Sequence, residues 1–173
     1  MDEIQRRLLL ERLFYAHAGA VRAYARRRID AAAADDTVSE VFAIAWRRLD
    51  DVPDEPLPWL LGCTRRVLAH QHRRARRDMA LASRLGTAVS GVAIADAVLG
   101  SALAQLNDRD REILLLIAWE GLEPAQVAAV LGCSRNAVAV RLHRARRRLA
   151  AALNRVAVSE RSGDTGLPAE EAC

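Results

Sequence analysis

The chain has 173 residues, 51% of them hydrophobic and only 4% aromatic, with 26 basic residues against 22 acids and a formal net charge of +4. That length suits one domain or two small ones, and the apolar share can bury a core, although much of it is alanine. Abundant Ala, Leu and Arg, few Gly and Pro and no long β-branched run exclude a strand-rich fold and predict an all-α protein.

The chain opens with MDEIQRRLLLERL, which is charged throughout and reads as neither a signal peptide nor a membrane span. Residues 4–29 read as one or two helices, carrying Ile4, Leu8, Leu9, Leu13 and Phe14 and then Val21 and Tyr24. Asp35-Asp36-Thr37 punctuates the chain, and Thr37 with Glu40 has the spacing of a capping box. From there Val38, Val41, Phe42, Ala45 and Leu49 form a helical stripe. Pro53, Pro56 and Pro58 define a loop, and Trp59 opens a helix running to about Arg77 with Leu60, Leu61, Val67 and Leu68 inward. Residues 83–100, with three glycines and many small side chains, read as a linker, its ends roughly 25 Å apart if fully flexible. Helices are predicted at about 101–106, 109–119 and 124–131, then a fourth through 133–149, and the polar tail from Ser159 reads as disordered. The resulting division is 1–82, a linker at 83–100, a second helical domain at 101–155 and a disordered tail at 156–173.

Every basic residue is arginine, and the distribution of charge says more than its sum. Residues 65–77 hold six arginines, two histidines and no acid, and residues 133–155 hold seven arginines and no acid. Residues 35–55 hold seven acids against two arginines. Two polyanion contacts and one separate protein contact fit this pattern, and so do plain solvated helix faces. Cys63, Cys133 and Cys173 lie far apart, form no CxxC pair or Cys/His cluster, and fit a reduced cytoplasmic setting. No nucleophile–base pair, metal cluster or phosphate loop stands out, so neither catalysis nor a cofactor is expected.

Residues 121–149, GLEPAQVAAVLGCSRNAVAVRLHRARRRL, carry the strongest local pattern. Pro124 fits the first turn of a helix, where its missing N–H costs nothing. Gly132 suits the left-handed residue after that helix, and Ser134 is a good N-cap for the next. Two short helices joined by so tight a turn form a helix-turn-helix. At 100° per residue, Val138, Leu142, Ala145 and Leu149 share one narrow sector, while Asn136, Val140, His143, Arg144 and Arg147 occupy the opposite one. Arg can read guanine, Asn adenine, and Val a thymine methyl. Arg135, Arg141, Arg146 and Arg148 flank this face, where phosphates would lie.

These residues carry a family resemblance. LNDRDREILLLIAWEGLEPAQVAAVLGCSRNAVAVRLHRARRRL, residues 106–149, resembles region 4 of the bacterial sigma factors in their small extracytoplasmic-function branch. ADDTVSEVFAIAWRRLDD, residues 34–51, resembles region 2.2, and PLPWLLGCTRRVLAHQHRRARR, residues 56–77, resembles regions 2.3 and 2.4. The likeness covers about residues 10–153, with the regions in order. It implies two small helical domains and a protein that brings core RNA polymerase to promoters. Region 2 would engage the β′ clamp helices and the −10 element; region 4 would read the −35 element and sit on the β-flap. The family is commonly held inactive by an anti-sigma factor, so such a partner is implied as well.

The resemblance assigns Asp36, Ser39 and Glu40 to core polymerase. The loop 51–56, with Asp54, would hold a flipped −10 base, and Arg65, Arg66, His70, Arg73 and Arg74 would line single-stranded or junction DNA. Ala139, Val140, His143 and Arg144 match the −35 contacts, beside Arg135, Asn136, Arg141 and Arg147 from the periodicity above. Trp46 and Trp59 are expected to be packing anchors. Relatives usually carry Asn at Arg66, Ser or Thr at Glu123 and longer or more polar side chains at Ala139. These departures leave the preferred −10 and −35 bases open. A stand-alone helix-turn-helix regulator is the alternative; it would leave the acidic helix and the 59–77 helix without purpose. A membrane-surface adaptor is a third reading, against which stands the lack of Trp or Phe among the basic residues.

Overall fold

The computed structural model describes residues 2–82 and 97–163. They form seven α-helices and one 3-10 turn: α1 (Glu3–Arg26), α2 (Ala31–Arg47), the turn Leu49–Asp51, α3 (Pro56–Ala82), α4 (Ala97–Ala104), α5 (Asp108–Ala118), α6 (Pro124–Leu131) and α7 (Arg135–Gly163). The all-α expectation holds.

Local chemistry starts most of these helices where it should. Asp2 caps α1, accepting from the Gln5 N–H at 2.7 Å while Gln5 Oε1 accepts from the Asp2 N–H at 3.1 Å. Asn107 caps α5 through the Asp110 N–H at 2.9 Å. The cap of α2 corrects the sequence reading. Asp30, not Thr37, caps it, accepting from the Ala33 N–H at 2.9 Å. The alanine run 31–34 is a strong helix former and carries the helix about two turns further back. Thr37 is therefore fully buried inside α2, and its hydroxyl donates to the Ala33 carbonyl at 2.8 Å. Likewise α3 begins at Pro56 rather than Trp59, because prolines in a first turn have no N–H that the helix would use.

Two further boundaries move. Residues 97–100, read as linker, open α4, where Leu99 packs against the second-half core and Ala102 and Leu103 are buried. Residues 156–163, read as disordered tail, continue α7. Ala152 is fully buried there, Leu149, Leu153 and Val156 pack on the same core, and Arg155 donates to Gln105 at 3.0 Å. The remaining linker residues, 83–96, and the tail from 164 lie outside the described residues.

The first half is built as α1 and α2 lying across α3 around Leu13, Val21, Val38, Val41, Phe42, Leu60 and Val67. The second half wraps α4, α5 and α6 around α7, burying Leu103, Ile113, Leu116, Val127, Val138, Leu142 and Ala145. The two are docked. Tyr24, Leu61 and Leu68 of the first half are buried in the second half's core. At Gly62 the helices α3 and α6 come so close that a Cβ would lie 3.4 Å from the Val130 carbonyl oxygen and 3.6 Å from its Cα.

Candidate nucleic-acid interface

The helix-turn-helix forms as its residues dictate. Pro124 takes the first turn of α6, and Gly132 follows it at φ +64°, a left-handed conformation that costs glycine little. The Cys133 N–H then closes back on the Ala128 carbonyl at 3.1 Å. Ser134 Oγ accepts from the Ala137 N–H at 3.2 Å and starts α7. Glu123, the unusual residue at the head of α6, donates its N–H to Gln126 Oε1 at 3.0 Å. Gln126 therefore supplies part of the cap that Glu123 lacks as a residue type.

The anchor stripe of α7 is buried as its spacing predicts: Val138 and Ala145 fully, Leu142 almost so, and Leu149 partly. Arg135, Asn136, Ala139, Val140, Arg141, His143, Arg144 and Arg147 are all exposed. Val140 is 50% exposed, unusual for valine in a packed protein, and stands among arginines. Arg144 and Arg147 line one shallow cleft with Arg148 and Ala151. This face offers guanidinium and amide donors, an imidazole and one small apolar contact, a set suited to base edges and phosphates.

Arg148 departs from the expected phosphate flank. It pairs with Asp110, a carboxylate nearly buried at the start of α5, which also accepts from Asn107 Nδ2 at 2.8 Å. This pairing ties the middle of α7 to the capping turn of α5 and holds the reading helix against its support. Sequence spacing could not reveal it, because 38 residues separate the partners.

In the first half, Asp36, Ser39 and Glu40 are exposed on α2, opposite its buried side of Val38, Val41, Phe42 and Ala45. Their neighbour Asp35 is committed elsewhere, accepting from Arg22 of α1 at 2.6 Å. Ser39 donates to the Asp35 carbonyl at 3.1 Å, within its own helix. Glu40 accepts from Gln71 of α3 at 3.4 Å, a long bond that leaves its carboxylate outward. Asp54 is exposed in the loop before α3. Arg65, Arg66, His70, Arg73 and Arg74 are exposed along α3. Arg66 donates to the Cys63 sulfur at 3.6 Å; burial raises that thiol's pKa, and the Arg66 contact works in the opposite direction. Trp46 and Trp59 are partly buried against the first-half core, under Arg6 and Arg48 at 5.4 and 6.0 Å, and act as packing anchors.

One arrangement brings the two basic sets together. Arg65 of α3 and Arg141 of α7 line a single cleft of about 390 Å³ with Asp108, Arg109 and Glu112. Beside it, the end of α1 meets α5 through a polar cluster that sequence reasoning missed, since its partners lie 84–93 residues apart. Among the described residues no group of three or more His, Cys, Asp or Glu side chains is placed to hold a metal ion. None of their helices is long and apolar enough to cross a membrane.

Comparison with known proteins agrees with this geometry. Sigma-70 region 2 matches residues 13–78, and sigma-70 region 4 matches residues 97–149. The chain is 33% identical over 139 residues to the RNA polymerase sigma factor CnrH of Cupriavidus metallidurans, covering 69% of this chain and 73% of that one. It is 30% identical to the RNA polymerase sigma factor NccH of Alcaligenes xylosoxydans xylosoxydans, covering 84% of each. The solved structure of CnrH in complex with the cytosolic domain of CnrY aligns with a TM-score of 0.56 at 30% identity, covering 84% of this chain and 87% of that one. The sigma factor RpoE of Bartonella quintana, solved with its anti-sigma factor NepR, shares the fold at a TM-score of 0.63 and 24% identity, covering 83% of this chain and 96% of that one. With both of its halves matched in order, the chain belongs to the sigma-70 family of bacterial RNA polymerase sigma factors, in its extracytoplasmic-function branch, and directs transcription initiation.

Proposed function

We propose that the two halves divide promoter recognition between them through specific residues. Asp36, Ser39 and Glu40 dock on the β′ clamp helices of core polymerase. Arg65, Arg66, His70, Arg73 and Arg74, with the loop bearing Asp54, hold the −10 element as it opens. Arg135, Asn136, Ala139, Val140, Arg141, His143, Arg144 and Arg147 read the −35 element, and this half rests on the β-flap. The chain performs no catalysis itself and works in the cytoplasm. A sequestering anti-sigma partner is part of this reading, since RpoE was solved bound to one.

The observation that carries it is the outward face of α7. Eight residues of the right chemistry stand exposed on a helix whose other side is anchored by Val138, Leu142 and Ala145. The exposed acids of α2 supply a second surface of opposite charge, which a DNA-only regulator would not need.

The test is reconstitution with sigma-free core polymerase and a library of genomic promoter fragments, scored by run-off transcription. Specific transcripts are expected, and absence of both transcripts and core binding by the folded protein would overturn the reading. Glu40→Arg should weaken core binding at least tenfold, while α7 binding to DNA is unchanged. Unaltered core affinity would remove Glu40 from that surface.

A further inference from the structure

Most guanidiniums around α5 are committed to partners. Arg27 donates to both oxygens of Glu120 at 2.5 Å and stands 5.8 Å from the centre of the Trp119 ring. Arg28 lies 3.6 Å from the centre of the buried Tyr24 ring and donates to Glu112 at 3.4 Å. Arg111 donates to the Leu103 and Leu106 carbonyls at 2.9 Å, and Arg148 holds Asp110. Arg65, Arg109 and Arg141 differ. They come from three helices, α3, α5 and α7, all are exposed, and no carboxylate among the described residues pairs with them. Yet all three line one cleft of about 390 Å³.

Three like charges around one hollow repel one another, so an anion placed between them gains from all three and relieves that repulsion. Gly132 and Cys133, the turn leading into α7, form another wall, which brings the positive end of that helix to the rim. The volume falls within the range of small-molecule sites, about 300–1,000 Å³. Guanidiniums on several sides suit the dense charge of a phosphate chain, each oxygen taking a charge-assisted hydrogen bond. The acids of the cleft define the rest of the ligand. Glu112 already accepts from the Tyr24 hydroxyl at 2.6 Å. Asp108 has a side chain 98% exposed and meets only Arg111, at 3.4 Å. Its carboxylate is an open acceptor for N–H groups such as the amino edge of a nucleobase, and Leu131 supplies an apolar wall.

We propose that this cleft binds a nucleoside polyphosphate: Arg65, Arg109 and Arg141 hold the phosphate chain, and Asp108 accepts from the amino edge of the base. Arg65 and Arg141 also belong to the residues assigned above to DNA. An occupied cleft withdraws one arginine from each basic set, so nucleotide and DNA compete. Only this competition rests on the promoter reading; the binding site stands without it.

The test titrates the full chain with GTP, ATP and inorganic tripolyphosphate in metal-free buffer, read by calorimetry. At least one of the two nucleotides should bind once per chain with a Kd below about 100 μM. It should bind at least about fivefold more tightly than tripolyphosphate, and Asp108→Ala should erase that margin. Arg109→Ala should weaken nucleotide binding at least about tenfold. Arg146→Ala, outside the cleft on the same basic helix, should change it less than about twofold. No saturable binding, or equal losses from Arg109→Ala and Arg146→Ala, would overturn the site. Tripolyphosphate bound as tightly as the nucleotides would overturn the base contact. Cys133, partly exposed in the cleft wall, gives an independent readout. In a Cys173→Ser chain, nucleotide at about ten times its Kd should slow Cys133 alkylation by iodoacetamide at least about fivefold. An unprotected Cys133 would place the ligand elsewhere and sink the proposal. Nucleotide added before core polymerase should lower capture of a labelled promoter fragment by wild type at least about threefold, and not by Arg109→Ala. Undiminished capture by wild type would overturn the competition. Absence of capture in every form would instead count against the promoter reading, while calorimetry and alkylation still decide the cleft.

Discussion

The two halves are stabilised in different ways. The first encloses Val21, Val41, Phe42 and Leu60 among its own three helices. The second has a core that continues across the junction into Tyr24, Leu61 and Leu68. Helix α3 serves both, with Leu60, Cys63 and Val67 turned to its own half and Leu61 and Leu68 about 100° further round, turned to the other. The comparison teaches that docking leaves most of the two basic faces open, with Arg65 of α3 and Arg141 of α7 brought to one cleft beside the junction. The second half docks through α5 and α6 and leaves the outward face of α7 exposed.

The largest effect that bears on this division should come from Phe42→Ala, which removes an aromatic buried wholly within the first half. A loss of about 3–5 kcal/mol in urea unfolding is expected. Leu61→Ala should cost less, about 2 kcal/mol, because a joint between halves can part and hydrate where a closed core cannot. Hydrogen exchange separates the two cases. Phe42→Ala should deprotect α1 and α2, and Leu61→Ala the facing side of α6. Equal deprotection everywhere would mean that the halves form one cooperative unit, and the contrast would fail.

Smaller effects sharpen the second half. Arg144→Ala should lose about 1–3 kcal/mol of discrimination between a cognate and a scrambled −35 element. A uniform loss on all DNA would make it a phosphate contact alone. Asp110→Asn should lower stability by about 1–3 kcal/mol, since it weakens a charge-assisted pair at a nearly buried site. Arg135→Ala should reduce the salt slope of DNA binding by about one, whereas Arg148→Ala, engaged with Asp110, should leave it unchanged. The smallest signal is spectroscopic. Burial, and then the neighbouring Glu112 charge, raise the Tyr24 pKa, so folding favours its protonated form. The closed fold is therefore fully stabilised below the free tyrosine value near about pH 10 and loses stability above it. In an alkaline titration Tyr24 should ionise only as the structure opens.

Legibility followed the range of the interactions. The helix-turn-helix was readable because Pro124, Gly132 and Ser134 act within a few residues, and a 100° step suffices to bury Val138, Leu142 and Ala145. The start of α2 was misread because Thr37 and Glu40 have capping spacing, while an alanine run has no apolar period to announce a helix. Arg148 was assigned to phosphate by its angle on the helix, and only the fold brings Asp110 to it. The docking was invisible for the same reason. Leu61 looks like a companion of Leu60 until α6 is seen to lie against it. The family likeness alone assigns Asp36 and Glu40 to core polymerase, and periodicity places them only on an outward acidic face.

The position of Trp119 gives the molecule an optical gauge of its own state. Of the three tryptophans, Trp46 and Trp59 sit against the first-half core, where separation of the halves leaves their surroundings alone. Trp119, 38% exposed, faces Arg27 across the junction. Release of that guanidinium and entry of water would red-shift the Trp119 emission while the other two indoles supply a constant background. The unmodified chain can thus signal any parting of its halves by its own fluorescence.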